Sequence, residues 1–203
     1  MQTLTIIVLS YLVGSLSFSY WVVRALRRVD VRTIGSGNAG ATNVLRAAGT
    51  GAAVAVLGLD VLKGVVAVSV ARWVGAEPAI VGLAGTTVVL GHLYPIFSSF
   101  RGGKGAATAG GVFMVLSPAV CLGVFVVFVI IVGTTRYVSL ASLVAAMLFP
   151  VGLWLAMRLG QAETGEGQGW LVLHTAVIGL LIALRHRDNV VRLWQGRENK
   201  FSR

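Results

Sequence analysis

The sequence predicts an all-α protein that crosses a membrane seven times, one of the seven helices being short, with its N-terminus outside and its C-terminus in the cytoplasm. Three observations carry this expectation. The 203 residues are 56% hydrophobic with a mean hydropathy of +0.85, and only 12% are charged, about half the share of an ordinary soluble domain. Apolar runs repeat along the whole length, and several approach the ~20 residues a helix needs to cross a bilayer. The basic residues gather at the ends of those runs and, for seven passes, on one side. The runs are read as helices because a lone strand cannot satisfy its backbone in lipid.

The first run, 4–26, has no basic n-region and is longer than the apolar core of a signal peptide, so it is expected to remain as a span. Runs at 52–74 and 79–97 follow. The next stretch, 106–134, carries Pro118 near its middle, and Ser117-Pro118 reads as a break, since proline removes a helical hydrogen bond and clashes with the preceding turn. Division there gives 106–116 and 119–134. The first piece amounts to only about 16 Å of helix, too short to span alone. It is expected to be a half-helix packed among its neighbours or lining a wet cavity. Runs at 138–157 and 170–184 complete the seven, and 159–169, LGQAETGEGQG, has the composition of a flexible outer loop. No repeat or linker divides the chain, so one membrane-embedded domain is expected over 1–203.

Charge decides between six passes and seven. With the Met1 end outside and seven passes, Arg24, Arg27, Arg28, Arg32, Arg46, Arg101, Lys104, Arg136, Arg185, Arg187, Arg192, Arg197, Lys200 and Arg203 share one side. Arg72 and Arg158, with Glu77, Glu163 and Glu166, mark the other. Six passes would split the basic loops, so the positive-inside rule favours seven. The net charge of +10 is thereby explained by orientation and lipid headgroups, and no nucleic-acid partner is expected. The single cysteine, Cys121, lies in an apolar run. It excludes an internal disulfide and a cysteine-based metal site, and it reads as an inert core residue.

Three polar clusters meet on the cytoplasmic side of this topology. In RTIGSGNAGATNVLR, 32–46, Gly35, Gly37 and Gly40 match G-x-G-x-x-G formally. A membrane span and a basic linker precede them instead of a strand, which rejects a dinucleotide fold. The glycines still let backbone amides converge on an anion. Ser36, Asn38, Thr42 and Asn43 add polar groups, and Arg46 a planar fork suited to phosphate. A flexible loop with a surface arginine is the plain alternative. In SSFRGGKGAATAGG, 98–111, Gly105 follows Lys104 where a Walker A loop needs Ser or Thr, so that motif is absent. Gly102, Gly103 and Gly105 are expected to expose N–H groups to an anion, with Lys104 as a point charge and the short helix aiming its N-terminus at the same place. The alternative is a tight turn with an orienting lysine. In RHRDNVVRLWQGRENK, 185–200, part of the segment reads as an amphipathic helix on anionic lipid. His186 and Asn189, three apart, share one face.

Asp60 and Lys63 lie within a span, where ionisable residues are functional candidates by default. At this spacing they are expected to pair with each other, in a position to brace the site. His92, in GHLYP, and His174 read as structural.

Together GSGNAGATNVLR, GHLYPIFSSFRGGKGAATAGG and RHRDNVVRLWQGRENK, in this order, resemble the bacterial acyl-phosphate–glycerol-3-phosphate acyltransferase family, PlsY, with DVLKG and RYVSL also similar. The likeness covers nearly the whole chain, and Ala39 is its one small departure. The resemblance implies transfer of a fatty acyl group from acyl phosphate to the 1-hydroxyl of glycerol 3-phosphate, giving lysophosphatidic acid and phosphate in early phospholipid synthesis. It implies that Ser36, Arg46, Lys104, His186 and Asn189 hold glycerol 3-phosphate, that Thr42, Gly102, Gly103, Lys104, Gly105, Thr108 and Ser139 hold acyl phosphate, and that Glu198 supports the tail. Lys104, His186 and Asn189 would be the catalytic group. The implied enzyme is a monomer in the bacterial inner membrane with its site facing the cytoplasm. It uses no cofactor or metal, because the basic loops can neutralise phosphate themselves.

The activated donor already carries a good leaving group, so alignment and charge stabilisation are the main demands. Two routes for the acceptor proton stay open: His186 as general base, or a phosphate oxygen of a bound substrate with His186 and Asn189 orienting the acceptor. The second is preferred, since Arg185 and Arg187 disfavour an imidazolium. The rival class is a transporter for a phosphorylated small molecule, which predicts an internal repeat that the sequence lacks.

Overall fold

The computed structural model describes residues 1–162, 165 and 167–201. Glu163, Glu166 and Arg203, used above in the charge argument, lie outside the described residues. Among those residues the regular structure is helical: α1 Gln2–Gly14, α2 Phe18–Arg27, α3 Ala41–Ala48, α4 Thr50–Trp73, α5 Pro78–Leu93, α6 Ala106–Leu116, α7 Pro118–Thr135, α8 Val138–Arg158, α9 Gly169–Arg185 and α10 Arg187–Trp194, with single 3₁₀ turns at Val31–Thr33 and Ile96–Ser98. Among the described residues, five segments are long and apolar enough to cross a membrane: Gln2–Arg27, Thr50–Trp73, Pro78–Ser98, Pro118–Thr135 and Val138–Arg158. A sixth arises if α9 and α10, bent by 59°, are taken together, and α6 remains a short apolar helix.

The chain forms two compact units, Met1–Val112 and the remainder from Phe113 onward. In the first, α1, α4 and α5 pack together, with α2 and α3 against α4. Glycine sets the closeness of these packings. A Cβ on Gly14 would overlap the Val88 carbonyl of α5, and one on Gly91 would overlap the Tyr11 carbonyl of α1. The α4–α6 contact is reciprocal: a Cβ on Gly64 would strike the Thr108 carbonyl, and one on Gly111 the Val61 carbonyl. Small residues are the usual means of close helix approach in lipid, where no hydrophobic drive separates helix from solvent. The half-helix is thus seated on α4 by backbone contact.

The run 4–26 is divided in the structure. α1 stops at Gly14 and α2 starts at Phe18. The break frees the Leu16 carbonyl, which accepts a hydrogen bond from Lys63 Nζ at 3.2 Å. A freed carbonyl at membrane depth needs such a partner.

In the second unit, α8 packs between α7 and α9, and α10 rests on α8 and α9. Phe113 stacks on Phe149 with ring centroids 3.9 Å apart. Pro118 opens α7 at its first turn, where its missing N–H costs nothing. No residue of α7 is buried, and Leu122, Phe125, Val129 and Ile130 are exposed along it. Such a surface suits lipid as solvent.

Candidate active site

The two glycine-rich segments of the first unit meet. Arg32 is the tie. Its Nε and Nη2 fork onto Asp30, at 2.9–3.0 and 2.6 Å, and its Nη1 donates to the Ser98 carbonyl at 2.7 Å. The guanidinium also lies over the Tyr20 ring, 4.9 Å from its centroid. The hydrogen bond from Arg32 holds the Asp30 carboxyl below the usual carboxylate range, and the same bond raises Arg32. A second contact lies further along both segments: Gly103 sits so close to the Ala39 carbonyl that a Cβ would collide with it.

The first segment is braced from within by Asn43, which is buried. Its Nδ2 donates to the Val31 and Ile34 carbonyls at 2.8 and 3.0 Å, and its Oδ1 accepts the Ser36 N–H at 3.0 Å. Gly35 lies between Asn43 and the Arg46 stem. Ser36 and Arg46 are exposed at this corner, and Thr42 is half-buried in the first turn of α3. The loop is therefore built to present Ser36 and Arg46 together.

The turn before α6 differs from the sequence expectation in one respect. The N–H groups of Gly102 and Gly103 donate to the Leu93 and His92 carbonyls, both at 3.2 Å. They tie the turn to the end of α5 and are not outward anion donors. Both positions need glycine for space: a Cβ on Gly102 would overlap the His92 carbonyl, and one on Gly103 the His92 ring. Left-handed backbone occurs instead at Ser99, Phe100 and Gly105, with φ of 55°, 58° and 86°. Two successive non-glycine residues in that region mark a strained turn. Beyond it, α6 starts with the Ala109 N–H on the Gly105 carbonyl at 2.8 Å. The amides before Ala109 then have no acceptor within the helix. Beside them the Thr108 hydroxyl is fully buried without a hydrogen-bond partner. A buried polar group left so is costly, and this one lies in the first turn of α6. Lys104, half-buried, stands at the same point.

In the second unit the tail folds back through Glu198. Its Oε1 accepts from Ser139 Oγ at 2.9 Å and Asn189 Nδ2 at 2.6 Å, and its Oε2 accepts from Arg192 Nε at 2.8 Å. The Ser139 hydroxyl, which the family resemblance assigns to acyl phosphate, thus donates to a carboxylate in this structure. Arg136 joins in, exchanging backbone and side-chain hydrogen bonds with Phe201 at 2.7 and 3.0 Å. His186 is buried at the α9–α10 bend, with Nδ1 at 2.8 Å from the Ile182 carbonyl. A carbonyl only accepts, so Nδ1 carries a proton in this contact.

Burial raises the Glu198 carboxyl, but the hydrogen bonds from Asn189, Arg192 and Ser139 outweigh it and hold the group below its ordinary value. A depressed folded value contributes stability above the unfolded carboxylate range, lost as pH falls through the folded value. Melting measured against pH in detergent is therefore expected to show an acid-side loss that Glu198→Gln lacks, with the variant less stable at neutral pH.

Sequence reasoning overlooked one contributor. Arg32 was counted only as an orienting charge, although Asp30 two residues before it was the available sign of a locked guanidinium. His92 reads as structural, and the structure shows what it supports: its carbonyl accepts the Gly103 N–H and its ring lies against Gly103.

The family model of the glycerol-3-phosphate acyltransferases matches residues 4–196. A relative named glycerol-3-phosphate acyltransferase, from Geobacter sulfurreducens, is 43% identical over 201 residues, covering 99% of this chain and 98% of its own length. The crystal structure of PlsY (YgiH), an integral membrane glycerol 3-phosphate acyltransferase, in its glycerol 3-phosphate form is 40% identical, with a TM-score of 0.90 over 100% of this chain and 96% of that one. Its lysophosphatidic acid form is 38% identical with a TM-score of 0.88, over the same shares of the two chains. With a matching family model over nearly its full length and relatives of this similarity, the chain belongs to the glycerol-3-phosphate acyltransferase family and is a multi-pass integral membrane protein.

Proposed function

We propose that the protein transfers a fatty acyl group from acyl phosphate to the 1-hydroxyl of glycerol 3-phosphate. The hydroxyl oxygen bonds to the acyl carbon, the bond from that carbon to the phosphate oxygen breaks, and the hydroxyl proton ends on the phosphate. The products are 1-acyl-glycerol 3-phosphate and inorganic phosphate. The observation that carries this reading is the meeting of the Ser36–Arg46 segment and the Gly102–Lys104 turn, which brings two phosphate-suited segments together. The solved relatives named for glycerol 3-phosphate and for lysophosphatidic acid support the acceptor and the product. No observation favours the transporter.

Acyl phosphate as donor is supported by the Lys104 turn, with its ammonium, the first-turn amides of α6, which have no acceptor within the helix, and the buried Thr108 hydroxyl. These suit a phosphate leaving group. Thr42 contributes from the first turn of α3. Gly102, Gly103 and Gly105 act by giving the turn its shape. Ser36 and Arg46, with Lys104, His186 and Asn189, are assigned to the acceptor. Glu198 and Ser139 brace the tail that carries Asn189. The seven passes, the outside N-terminus, the cytoplasmic C-terminus and site, and the inner-membrane location of a monomeric single-domain enzyme rest on the basic loops and on the half-helix α6. Neither cofactor nor metal enters this reading.

The test uses purified protein in detergent with palmitoyl phosphate and glycerol 3-phosphate. Phosphate release that requires the acceptor is expected, with no product from acyl-CoA. Hydrolysis without acylation, or turnover only with acyl-CoA, would sink the reading.

His186 Nδ1 donates to the Ile182 carbonyl, a neutral group that supports an imidazolium less than a carboxylate does. His186 is therefore assigned to orienting the acceptor while a phosphate oxygen takes the proton. His186→Gln is expected to raise KM for glycerol 3-phosphate about tenfold, with turnover largely recovered at saturation. A loss of about 100-fold or more in kcat that excess acceptor cannot restore would instead make it the base.

A further inference from the structure

Beneath the Gly102–Lys104 turn lies a buried cluster that the transfer reaction does not itself require. Lys63 Nζ is 2.8 Å from Asp60 Oδ1, 2.7 Å from His92 Nδ1 and 3.2 Å from the Leu16 carbonyl. An ammonium has three N–H donors and no lone pair, so one donor meets each acceptor. His92 Nδ1 also lies 3.5 Å from Asp60 Oδ1; with Lys63 as the charged donor, Nδ1 accepts from it and the ring proton sits on Nε2. That edge faces the glycine turn: a Cβ on Gly103 would collide with Nε2 and with the Ala39 carbonyl. The same residue's backbone carbonyl takes the Gly103 N–H. Asp60, Lys63 and His92 are 2%, 3% and 7% exposed, so the arrangement has little freedom to shift.

Ionisable groups at membrane depth are expensive. An apolar core would fill this space more cheaply, so holding the α1–α2 break does not account for a histidine with its second edge against the glycine turn. We propose that Asp60, Lys63 and His92 form a positioning cluster for the Lys104 turn. Lys63 fixes the tautomer and plane of His92, Asp60 neutralises Lys63, and the His92 ring keeps Gly103 at its spacing from Ala39. The registry of the two anion-binding segments then depends on a ring that touches neither substrate. This inference rests on the acyl-transfer reading of that turn.

Asparagine and glutamine separate the two edges of the ring. In His92→Asn the amide oxygen takes the place of Nδ1 and keeps Lys63 satisfied, but nothing reaches Gly103. In His92→Gln the amide reaches the place of Nε2 and leaves Lys63 short of an acceptor. The assay is acceptor-dependent phosphate release from palmitoyl phosphate with glycerol 3-phosphate, beside thermal melting in the same detergent. His92→Asn is expected to melt close to wild type while KM for palmitoyl phosphate rises about tenfold or more, and saturating donor recovers turnover. His92→Gln is expected to melt lower yet keep KM close to wild type. A merely structural histidine would make kinetics follow melting temperature, and that ordering overturns the inference. So does a His92→Asn protein that is kinetically wild type, or one that does not fold. Wild-type protein without acceptor-dependent release overturns the acyl-transfer reading itself, and the inference with it.

Discussion

Replacing Lys104 by alanine is expected to lower acceptor-dependent phosphate release by about 100- to 1,000-fold, the usual loss when one pre-aimed donor to developing charge is removed. Lys104 immediately follows Gly103, the residue in contact with the other glycine-rich segment. It also precedes the first turn of α6, where amides lack helical acceptors and the Thr108 hydroxyl is buried without a partner. An ammonium there meets the departing phosphate in a region partly shielded from water, where a charge interaction is worth more than on an open surface. Melting in the same detergent separates this loss of rate from a loss of fold. Lys104→Arg keeps the charge but replaces a compact ammonium with a larger planar fork, and it is expected to recover only part of the rate. Wild-type turnover in Lys104→Ala would remove this residue from the chemistry.

Gly103→Ala is expected to lower kcat/KM for palmitoyl phosphate by about 100-fold, the scale of a displacement of roughly an ångström at a reacting group. The added methyl would meet the His92 ring and the Ala39 carbonyl. Neither can step aside. His92 is held by Lys63, and Ala39 is 1% exposed within the Asn43-braced segment. The two segments must therefore separate. Gly110→Ala is the control, because a Cβ there meets nothing within 4 Å. It lies inside α6, where alanine is favoured over glycine by roughly 0.5–1 kcal/mol, so it is expected to keep activity and melt slightly higher. Equal kinetics for the two variants would show that the spacing of the segments is immaterial.

The helices were largely legible because composition and breakers determine them. Ser117-Pro118 separates α6 from α7, and the short run 106–116 coincides with Ala106–Leu116. The break between Gly14 and Phe18 was not legible. Its sequence carries no proline, and the carbonyl it frees is satisfied by Lys63, 47 residues away. Local pattern cannot report a hydrogen bond of that reach. α3 was likewise hidden inside a segment read as a polar loop, since eight residues give little periodicity.

At the candidate site, residue types were legible and directions were not. Gly102 and Gly103 stood out by composition, but whether a glycine serves to expose an amide or to make room depends on what lies opposite. Here that is the end of α5. Asp60 and Lys63 were recognisable as a pair by spacing, whereas His92 joins them only through tertiary packing. Ser139 and Glu198, 59 residues apart, show the same limit: their shared hydrogen bond arises from the tail folding back on the start of α8.

In the proposed mechanism one lysine serves two phosphates. This is tested most directly by determining the structure of the enzyme with glycerol 3-phosphate and a non-hydrolysable palmitoyl phosphonate bound together. Both phosphorus-bearing groups are predicted to lie within hydrogen-bonding reach of Lys104 Nζ, with the phosphonate at the start of α6 and the acceptor phosphate on Ser36 and Arg46. A phosphonate bound away from the Lys104 turn, or an acceptor out of reach of that ammonium, would contradict the account.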